Sequence, residues 1–308
     1  MSRAILFPGQ GSQNVGMGKD LYDNFPVAKA VFEEVDDTLS QKLSAIIFDG
    51  PSEDLTLTAN TQPALMAVSI AAMRVLQEEK GISVANAACV AGHSLGEYAA
   101  LCAAGSLSLS DTAKLLRIRG EAMQNAVPVG QGAMAALIGA TIESAGALIE
   151  ATPGDGACEI ANDNAPGQVV ISGSKDRIEA ACASAKAHKI KLAKLLPVSA
   201  PFHCSLMAPA AEHMKDALGE VEVKSPLVPV IANVTAAKVT DPEEIKSLLV
   251  QQVTCRVRWV ESIQTMIESG VDNFVEVGSG KVLSGLIKRI NKEVTTFNMG
   301  STEDLSGL

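Results

Sequence analysis

The stretch AACVAGHSLGEYAALCAAG, residues 87–105, indicates the type of fold. Its apolar start, 87–91, predicts a short buried strand, and the small-residue run 97–104, closed by Gly105, predicts a helix. Glycines at both ends of 92–96 allow a tight turn between the two, so the stretch predicts a buried βα unit. Such a turn projects the hydroxyl of Ser94 at the helix N-terminus, where backbone amides stabilise negative charge.

This turn also carries a pattern typical of nucleophilic serines. Residues 92–96, GHSLG, match GxSxG, and the strand before and helix after are what a nucleophile elbow requires. Glycine-serine turns are also common where strands simply enter helices. The spacing alone therefore supports a nucleophile and an ordinary tight turn equally.

Composition limits the class of protein. The chain has 308 residues, 47% hydrophobic and only 3% aromatic, which favours helices packed on a parallel sheet in one large domain or one with an insertion. A net charge of −10 argues against a nucleic-acid partner. No apolar run reaches the ~20 residues of a membrane span and no signal peptide is evident, so we expect a cytoplasmic protein with no membrane partner. The six cysteines form no CxxC pair, so we expect no metal site.

Hydrophobic periodicity outlines the body of the fold. The apolar run 4–7 predicts a strand that enters the glycine-rich loop 8–12. Asn60 or Thr61, with Pro63, predicts the start of a helix that Gly81 ends. Further strands are predicted at 227–231 and 273–277, with helices around 243–251 and 259–269. Together these elements predict an α/β body with a parallel sheet.

A separate unit is predicted inside this body. Six short elements follow one another in the order βαββαβ: strands at 134–139, 158–163, 169–173 and 190–198, and helices at 142–151 and 176–188. This is the ferredoxin-like order. We therefore predict a large subdomain formed by 1–128 and 199–308, and a small inserted subdomain formed by 129–198.

A nucleophilic serine needs a base, and the chain has four histidines. His188 lies among lysines and His213 on a helix surface, while His93 flanks the serine itself. His203, in the loop sequence SAPFH just past the small subdomain, is the best candidate base. The alternative is a buried histidine that packs beside Phe202 and has only a structural role.

The group that would orient this histidine stays open. A hydrolase triad adds an acidic residue between serine and histidine in chain order, yet no Asp or Glu there is distinctive. A backbone carbonyl or a side-chain amide could fix the imidazole tautomer without carrying charge.

Helical geometry separates two arginines in the predicted helix 111–123. Arg117 shares its face with polar residues, whereas Arg119 shares the apolar stripe of Leu115, Leu116 and Met123 and should point inward. A buried guanidinium needs an anionic partner, because an unpaired buried charge costs several kcal/mol. That partner is either a substrate carboxylate or an internal Asp or Glu.

Five motifs now occur in a recognisable order. They are FPGQGSQ at 7–13, GHSLGE at 92–97, RIRGEAM at 117–123, APFH at 200–203 and EVGSGKVLSGL at 276–286. Over nearly its whole length the chain resembles the malonyl-CoA:acyl-carrier-protein transacylases of the acyltransferase family. This resemblance implies an α/β-hydrolase-like large subdomain with a parallel sheet, plus an inserted ferredoxin-like small subdomain.

The resemblance also implies roles for individual residues. Ser94 would be the nucleophile and His203 the base of a catalytic dyad. The backbone amides of Gln10 and Leu95 would form the oxyanion hole, and the backbone carbonyl of Gln252 would orient the histidine. The residues implied to bind the substrate are Arg119, which would hold the malonyl carboxylate, and His93, Asn162 and Phe202.

The implied activity is transfer of a malonyl group from malonyl-CoA to the phosphopantetheine thiol of acyl carrier protein in fatty acid biosynthesis. A malonyl-serine intermediate makes this a ping-pong reaction, and no cofactor is implied. The family's free-standing members suggest a monomer. Two other functions stay open: a serine esterase or thioesterase with the same dyad, and a non-catalytic module that docks carrier proteins.

Overall fold

A computed structural model describes residues 2–198 and 200–307 of the chain. The boundary residue Ser199 of the predicted subdomain division, together with Met1 and Leu308, lies outside the described residues. The strands are β1 (Arg3–Phe7), β2 (Cys89–Gly92), β3 (Gly132–Ile138), β4 (Cys158–Ala165), β5 (Gln168–Ser174), β6 (Leu192–Leu195), β7 (Val230–Ile231), β8 (Lys238–Val239), β9 (Asn273–Val277) and β10 (Thr295–Met299).

Helices surround these strands. They are α1 (Lys19–Asn24), α2 (Pro26–Leu39), α3 (Leu43–Asp49), α4 (Ser52–Thr56), α5 (Thr58–Lys80), α6 (Leu95–Ala103), α7 (Leu109–Asn125), α8 (Ile142–Ala151), α9 (Lys175–Ser184), α10 (Ala208–Gly219), α11 (Pro242–Gln252), α12 (Trp259–Glu268) and α13 (Val282–Ile290). Within the described part of the chain, no helix is long and apolar enough to cross a membrane.

The larger sheet has six strands in the order β10-β9-β1-β2-β7-β8. Every pair is parallel except β7 with β8, so the predicted parallel sheet is confirmed. The central strand β1 is apolar on both faces: Ile5 and Phe7 face one buried cluster and Ala4 and Leu6 the other. Continuous apolar strands are typical of parallel sheets covered on both sides.

Helix α5 contributes many side chains to the buried cluster that contains Ile5 and Phe7. Its observed start differs from the predicted one. Gly81 ends the helix in a left-handed conformation, as predicted, but the helix begins at Thr58, so that Pro63 is inside it. The side chains of Asn60 and Thr61 do not cap the helix start. They donate hydrogen bonds to the carbonyl oxygens of Asp54 and Leu55 in α4, which ties α5 to the preceding helix.

The smaller sheet is antiparallel, with the order β4-β5-β3-β6. It contains the four strands of the predicted inserted unit, and this strand order confirms the ferredoxin-like fold. Helices α8 and α9 pack on one face in a cluster of their own. On the other face Met134 and Val170 belong to the core cluster of the larger sheet, so the two sheets pack together there.

Three predicted elements are longer than the observed ones. The strand predicted at 190–198 is confined to Leu192–Leu195, and the helix predicted at 176–188 ends at Ser184 and continues as a 3₁₀ turn, Ala185–His188. The strand predicted at 227–231 is only Val230–Ile231. Leu227 is 68% exposed and its amide donates to the carbonyl of Ala104, so apolar character alone was misleading there.

The turn between β2 and α6 depends on close backbone packing. A Cβ atom on Gly92 would lie 1.9 Å from the carbonyl carbon of Gly96, and one on Gly96 would lie 2.2 Å from the carbonyl oxygen of Phe7. The end of β1 and the turn after β2 therefore touch through backbone atoms alone, and only glycine fits at both positions.

We predict that Gly96→Ala lowers the free energy of unfolding by about 3 kcal/mol, because a rigid backbone oxygen occupies the space of the new methyl group. Gly146→Ala is the matched control: it lies inside α8 with open space around it and should stabilise the protein by about 0.5–1 kcal/mol. Urea denaturation measures both values. Equal stabilities for the two variants would contradict the close packing of the turn.

Candidate active site

Ser94 lies in the turn between β2 and α6 with φ 55° and ψ −113°. Residues other than glycine rarely adopt positive φ values, and such strain persists only where the surroundings enforce it. Here Asn233, just beyond β7, accepts a hydrogen bond from the amide of Ser94 (2.7 Å) and donates one to the carbonyl of Gly92 (2.7 Å). The predicted elbow is confirmed, and α6 starts at Leu95, two residues earlier than expected.

His203 contacts this serine. Its Nε2 lies 2.8 Å from Ser94 Oγ, and its Nδ1 lies 2.8 Å from the backbone carbonyl oxygen of Gln252. A carbonyl oxygen only accepts, so Nδ1 carries the proton and Nε2 is left to accept the serine proton. Of the orienting groups left open by the sequence, the structure contains the backbone carbonyl. The neighbouring Gln251 is exposed and its side chain contacts Ser247 instead.

Burial, together with the positive charge of Arg119, lowers the pKa of His203 to about 3. The imidazole is therefore neutral at physiological pH. A neutral imidazole with Nε2 in contact with a hydroxyl can act as a general base. His203 also has a positive φ of 58°, so both members of this pair lie on strained backbone.

Arg119 is buried on the inward face of α7, as predicted, with 1% of its surface exposed. The guanidinium donates to Oε1 of Gln62 (2.7 Å), to Oε1 of Gln252 (2.8 Å) and to Oγ of Ser94 (3.1 Å). The ion pairs of the described residues do not include Arg119, so the internal salt bridge is not found there. Arg117, on the other face, instead binds Gln41.

A buried carboxylate completes the network behind the serine. Glu97, in the first turn of α6, accepts hydrogen bonds from the amide of Asn233 (3.0 Å) and from Nε2 of Gln252 (2.8 Å). Burial raises the pKa of Glu97 to about 7, although these hydrogen bonds and the charge of Arg119 oppose the shift.

The two residues expected to supply oxyanion donors belong to segments that meet at the elbow. Leu95 is the first residue of α6, so its amide has no acceptor within the helix. Gln10 belongs to the loop after β1. This loop lies directly on the elbow, since a Cβ on Gly9 would be 2.5 Å from the carbonyl oxygen of His93.

A cavity of about 480 Å³ opens in front of Ser94 and His203. The small sheet supplies one wall through Met134, Val170 and the polar residues of β4. Five residues singled out from the sequence also line it: Gln10, His93, Arg119, Asn162 and Phe202. Leu95 and Gln252 are buried and are not among the described residues that line the cavity. Leu95 follows Ser94 at the start of α6, and Gln252 contacts His203 through its backbone carbonyl.

His93 joins the two sheets at this cavity. Its Nε2 lies 2.8 Å from Oδ1 of Asn164 in β4, and its ring lies 5.4 Å from the ring of Trp259. Burial lowers the pKa of His93. Sequence reasoning selected Asn162 from the run Asn162-Asp163-Asn164, whereas both asparagines line the cavity and Asn164 binds the histidine.

Sequence reasoning missed three other residues around the serine. Gln62 and Asn233 lie far from Ser94 in sequence, and no motif marks either of them. Glu97 was quoted within GHSLGE without a role. The available signal was a single acidic residue at the start of an otherwise small and apolar helix.

A serine on a strand–turn–helix elbow, paired with a histidine, is an arrangement that acyl-transferring and acyl-hydrolysing enzymes share. The family model described as "Acyl transferase domain" matches residues 5–301. The chain therefore belongs to the acyl transferase family.

Similar proteins agree with this assignment. A malonyl CoA-acyl carrier protein transacylase of Bacillus subtilis (strain 168) is 47% identical over 98% of this chain and 94% of that protein. The crystal structure of an acyl-carrier-protein-S-malonyltransferase from Bartonella henselae is 56% identical, covers 100% of this chain and 98% of its own, and superposes with a TM-score of 0.97. A malonyl-transacylase in complex with its type II PKS acyl-carrier protein is 41% identical over 99% of this chain and 98% of that one, with a TM-score of 0.96.

The lowered pKa of His203 makes stability depend on pH. Below pH 6.5 the unfolded chain binds a proton at this histidine that the folded chain does not bind, so stability falls as pH falls from 6.5 towards 3. Between pH 6.5 and 5 we predict a loss of about 2 kcal/mol from this residue. Urea denaturation of the wild type and of His203→Asn across this range isolates the contribution of His203 to the pH dependence, because His93 and Glu97 are present in both proteins. Parallel stability curves would contradict the buried, neutral histidine.

Proposed function

We propose that this chain transfers a malonyl group from malonyl-CoA to the phosphopantetheine thiol of an acyl carrier protein, through a malonyl-serine intermediate on Ser94. The observation that carries the proposal is the guanidinium of Arg119, which is buried, without a carboxylate partner among the described residues, and 3.1 Å from Ser94 Oγ. A buried cation beside a nucleophile fits an acyl group that ends in a carboxylate. The names of the relatives support the same substrate and acceptor.

In the first half-reaction, Nε2 of His203 accepts the hydroxyl proton of Ser94 as Oγ attacks the thioester carbonyl of malonyl-CoA. The carbonyl oxygen becomes an oxyanion, and the amides of Gln10 and Leu95 donate hydrogen bonds to it. Each such donor contributes roughly 10²–10³ in rate. The carbon–sulfur bond then breaks, and His203 returns the proton to the departing CoA thiolate.

The second half-reaction runs the same steps with the carrier protein. His203 accepts the proton of the phosphopantetheine thiol, and the sulfur attacks the acyl carbon of malonyl-Ser94. The ester bond breaks, and the proton moves from His203 to Ser94 Oγ. The orientation of the imidazole by Gln252 serves both halves, because a backbone carbonyl keeps the same tautomer throughout.

Specificity in this proposal comes from the far end of the acyl group. Arg119 binds the malonyl carboxylate, which replaces Ser94 Oγ as the acceptor of its third hydrogen bond. His93, Asn162 and Phe202 line the remaining cavity. A serine esterase for neutral acyl groups has no use for this buried charge, and a module that only docks carrier proteins has no use for the paired serine and histidine.

The same proposal extends to organisation and setting. We assign 1–128 and 199–308 to a large catalytic subdomain and 129–198 to a small inserted one, with the cavity between them. The chain acts as a cytoplasmic monomer in fatty acid biosynthesis, without nucleic acid. The acidic net charge of −10 supports the absence of a nucleic-acid partner.

Arg119→Ala tests the proposed substrate. Loss of a buried, charge-assisted contact should lower kcat/KM for malonyl-CoA about 10²-fold or more. The value of kcat/KM for acetyl-CoA, which has no terminal carboxylate, should not fall. Acyl transfer to phosphopantetheinylated carrier protein, followed by mass spectrometry, measures both. Arg117→Ala, on the opposite face of the same helix, is the control and should keep wild-type selectivity. Full malonyl activity in Arg119→Ala would contradict the proposal.

A further inference from the structure

Glu97 is a buried carboxylate that the proposed mechanism does not use. Only 3% of its surface is exposed, and one oxygen, Oε2, accepts both of its hydrogen bonds, from the amide of Asn233 and from Nε2 of Gln252. A buried carboxylate is costly unless it is paired or hydrogen-bonded. Its place next to the site therefore calls for an explanation in terms of what it contacts.

Through Gln252 this carboxylate reaches Arg119. The side-chain amide of Gln252 donates from Nε2 to Glu97 and to the carbonyl of Ser94 (3.0 Å), while its Oε1 accepts from Nη2 of Arg119 (2.8 Å). A rotated amide would direct its NH₂ group at the guanidinium and its oxygen at the carboxylate, and neither contact is a hydrogen bond. An ionised Glu97 can only accept, so together with the carbonyl of Ser94 it holds Gln252 in the orientation in which its oxygen accepts from Arg119.

The same arrangement explains how Arg119 is charged and still available. Tyr98 faces the guanidinium with its ring 5.6 Å away, and Gln62 supplies a neutral acceptor, so neither neutralises the charge. Glu97 acts on Arg119 across the width of one amide. A direct ion pair would occupy the donors that a substrate carboxylate needs, whereas a relayed counter-charge leaves them accessible.

We propose that Glu97 is a positioning residue: through the side-chain amide of Gln252 it holds the guanidinium of Arg119 beside Ser94 and so sets the preference for acyl groups that end in a carboxylate. This inference rests on the proposed function, and it assigns to Glu97 no contact with the substrate. The competing explanation is purely structural, namely that Glu97 holds the amide of Asn233 and thereby only stabilises the elbow.

The variant Glu97→Gln separates the two explanations. Glutamine has the same shape, and its oxygen can accept both hydrogen bonds that Oε2 accepts, so the elbow keeps its contact with Asn233. What it lacks is the negative charge and the acceptor-only character of a carboxylate. Since burial raises the pKa of Glu97 to about 7, the site accommodates both the ionised and the neutral side chain, and the variant should fold.

We expect Glu97→Gln to lower kcat/KM for malonyl-CoA about tenfold and to change that for acetyl-CoA less than about twofold, with an unchanged melting temperature. The control is Glu276→Gln, which neutralises another buried carboxylate that binds the amides of Leu283 and Ser284 in α13. This control should keep the wild-type ratio of malonyl to acetyl activity even if the substitution changes its melting temperature.

A double-mutant cycle completes the test. If Glu97 acts through Arg119, then Glu97→Gln has no further effect on the malonyl-to-acetyl ratio in an Arg119→Ala background. The inference would be overturned if Glu97→Gln lost malonyl and acetyl activity equally. It would also be overturned if the variant had the same ratio of malonyl to acetyl activity as an active wild type. A wild-type chain that transfers no malonyl group at all would instead contradict the proposed function.

Discussion

The rest of the site depends on the backbone contact between the end of β1 and the turn that follows β2. Gly92 and Gly96 allow these segments to touch without side chains, and this contact forces Ser94 into a positive φ. The strain is balanced by Asn233, whose side chain holds the backbone on both sides of the serine. The hydroxyl lies 2.8 Å from Nε2 of His203, where its proton can be accepted.

Gln252 contacts His203 and Arg119, the two side chains that lie against this hydroxyl. Its backbone carbonyl fixes the tautomer of His203, and its side-chain amide contacts Arg119, Glu97 and the carbonyl of Ser94. The histidine therefore needs no acidic partner. A carboxylate bound directly to the imidazole would also be a counter-ion within the site, whereas here the negative charge is kept one amide away from the arginine. This division suits a pocket whose substrate brings its own carboxylate.

The sequence predicted the features that depend on local pattern. Glycine spacing predicted the elbow, and helical periodicity predicted that Arg119 is buried. The order of short elements predicted the inserted sheet. The strand predicted at 227–231 forms only at Val230–Ile231, because the amide of Leu227 donates to the carbonyl of Ala104, a long-range contact that apolar composition does not predict. Residues such as Gln62 and Asn233 were not found because their role comes from contacts over long sequence separations, and single side-chain amides carry no periodicity.

In the proposed reaction, Ser94 carries the acyl group between two thiols. The most direct measurement is the intact mass of the protein after incubation with malonyl-CoA and no acceptor, alongside Ser94→Ala, followed by a chase with phosphopantetheinylated carrier protein. We predict one malonyl adduct that requires Ser94 and moves to the carrier protein. Steady release of CoA without a chaseable adduct would contradict this prediction and would indicate a hydrolase.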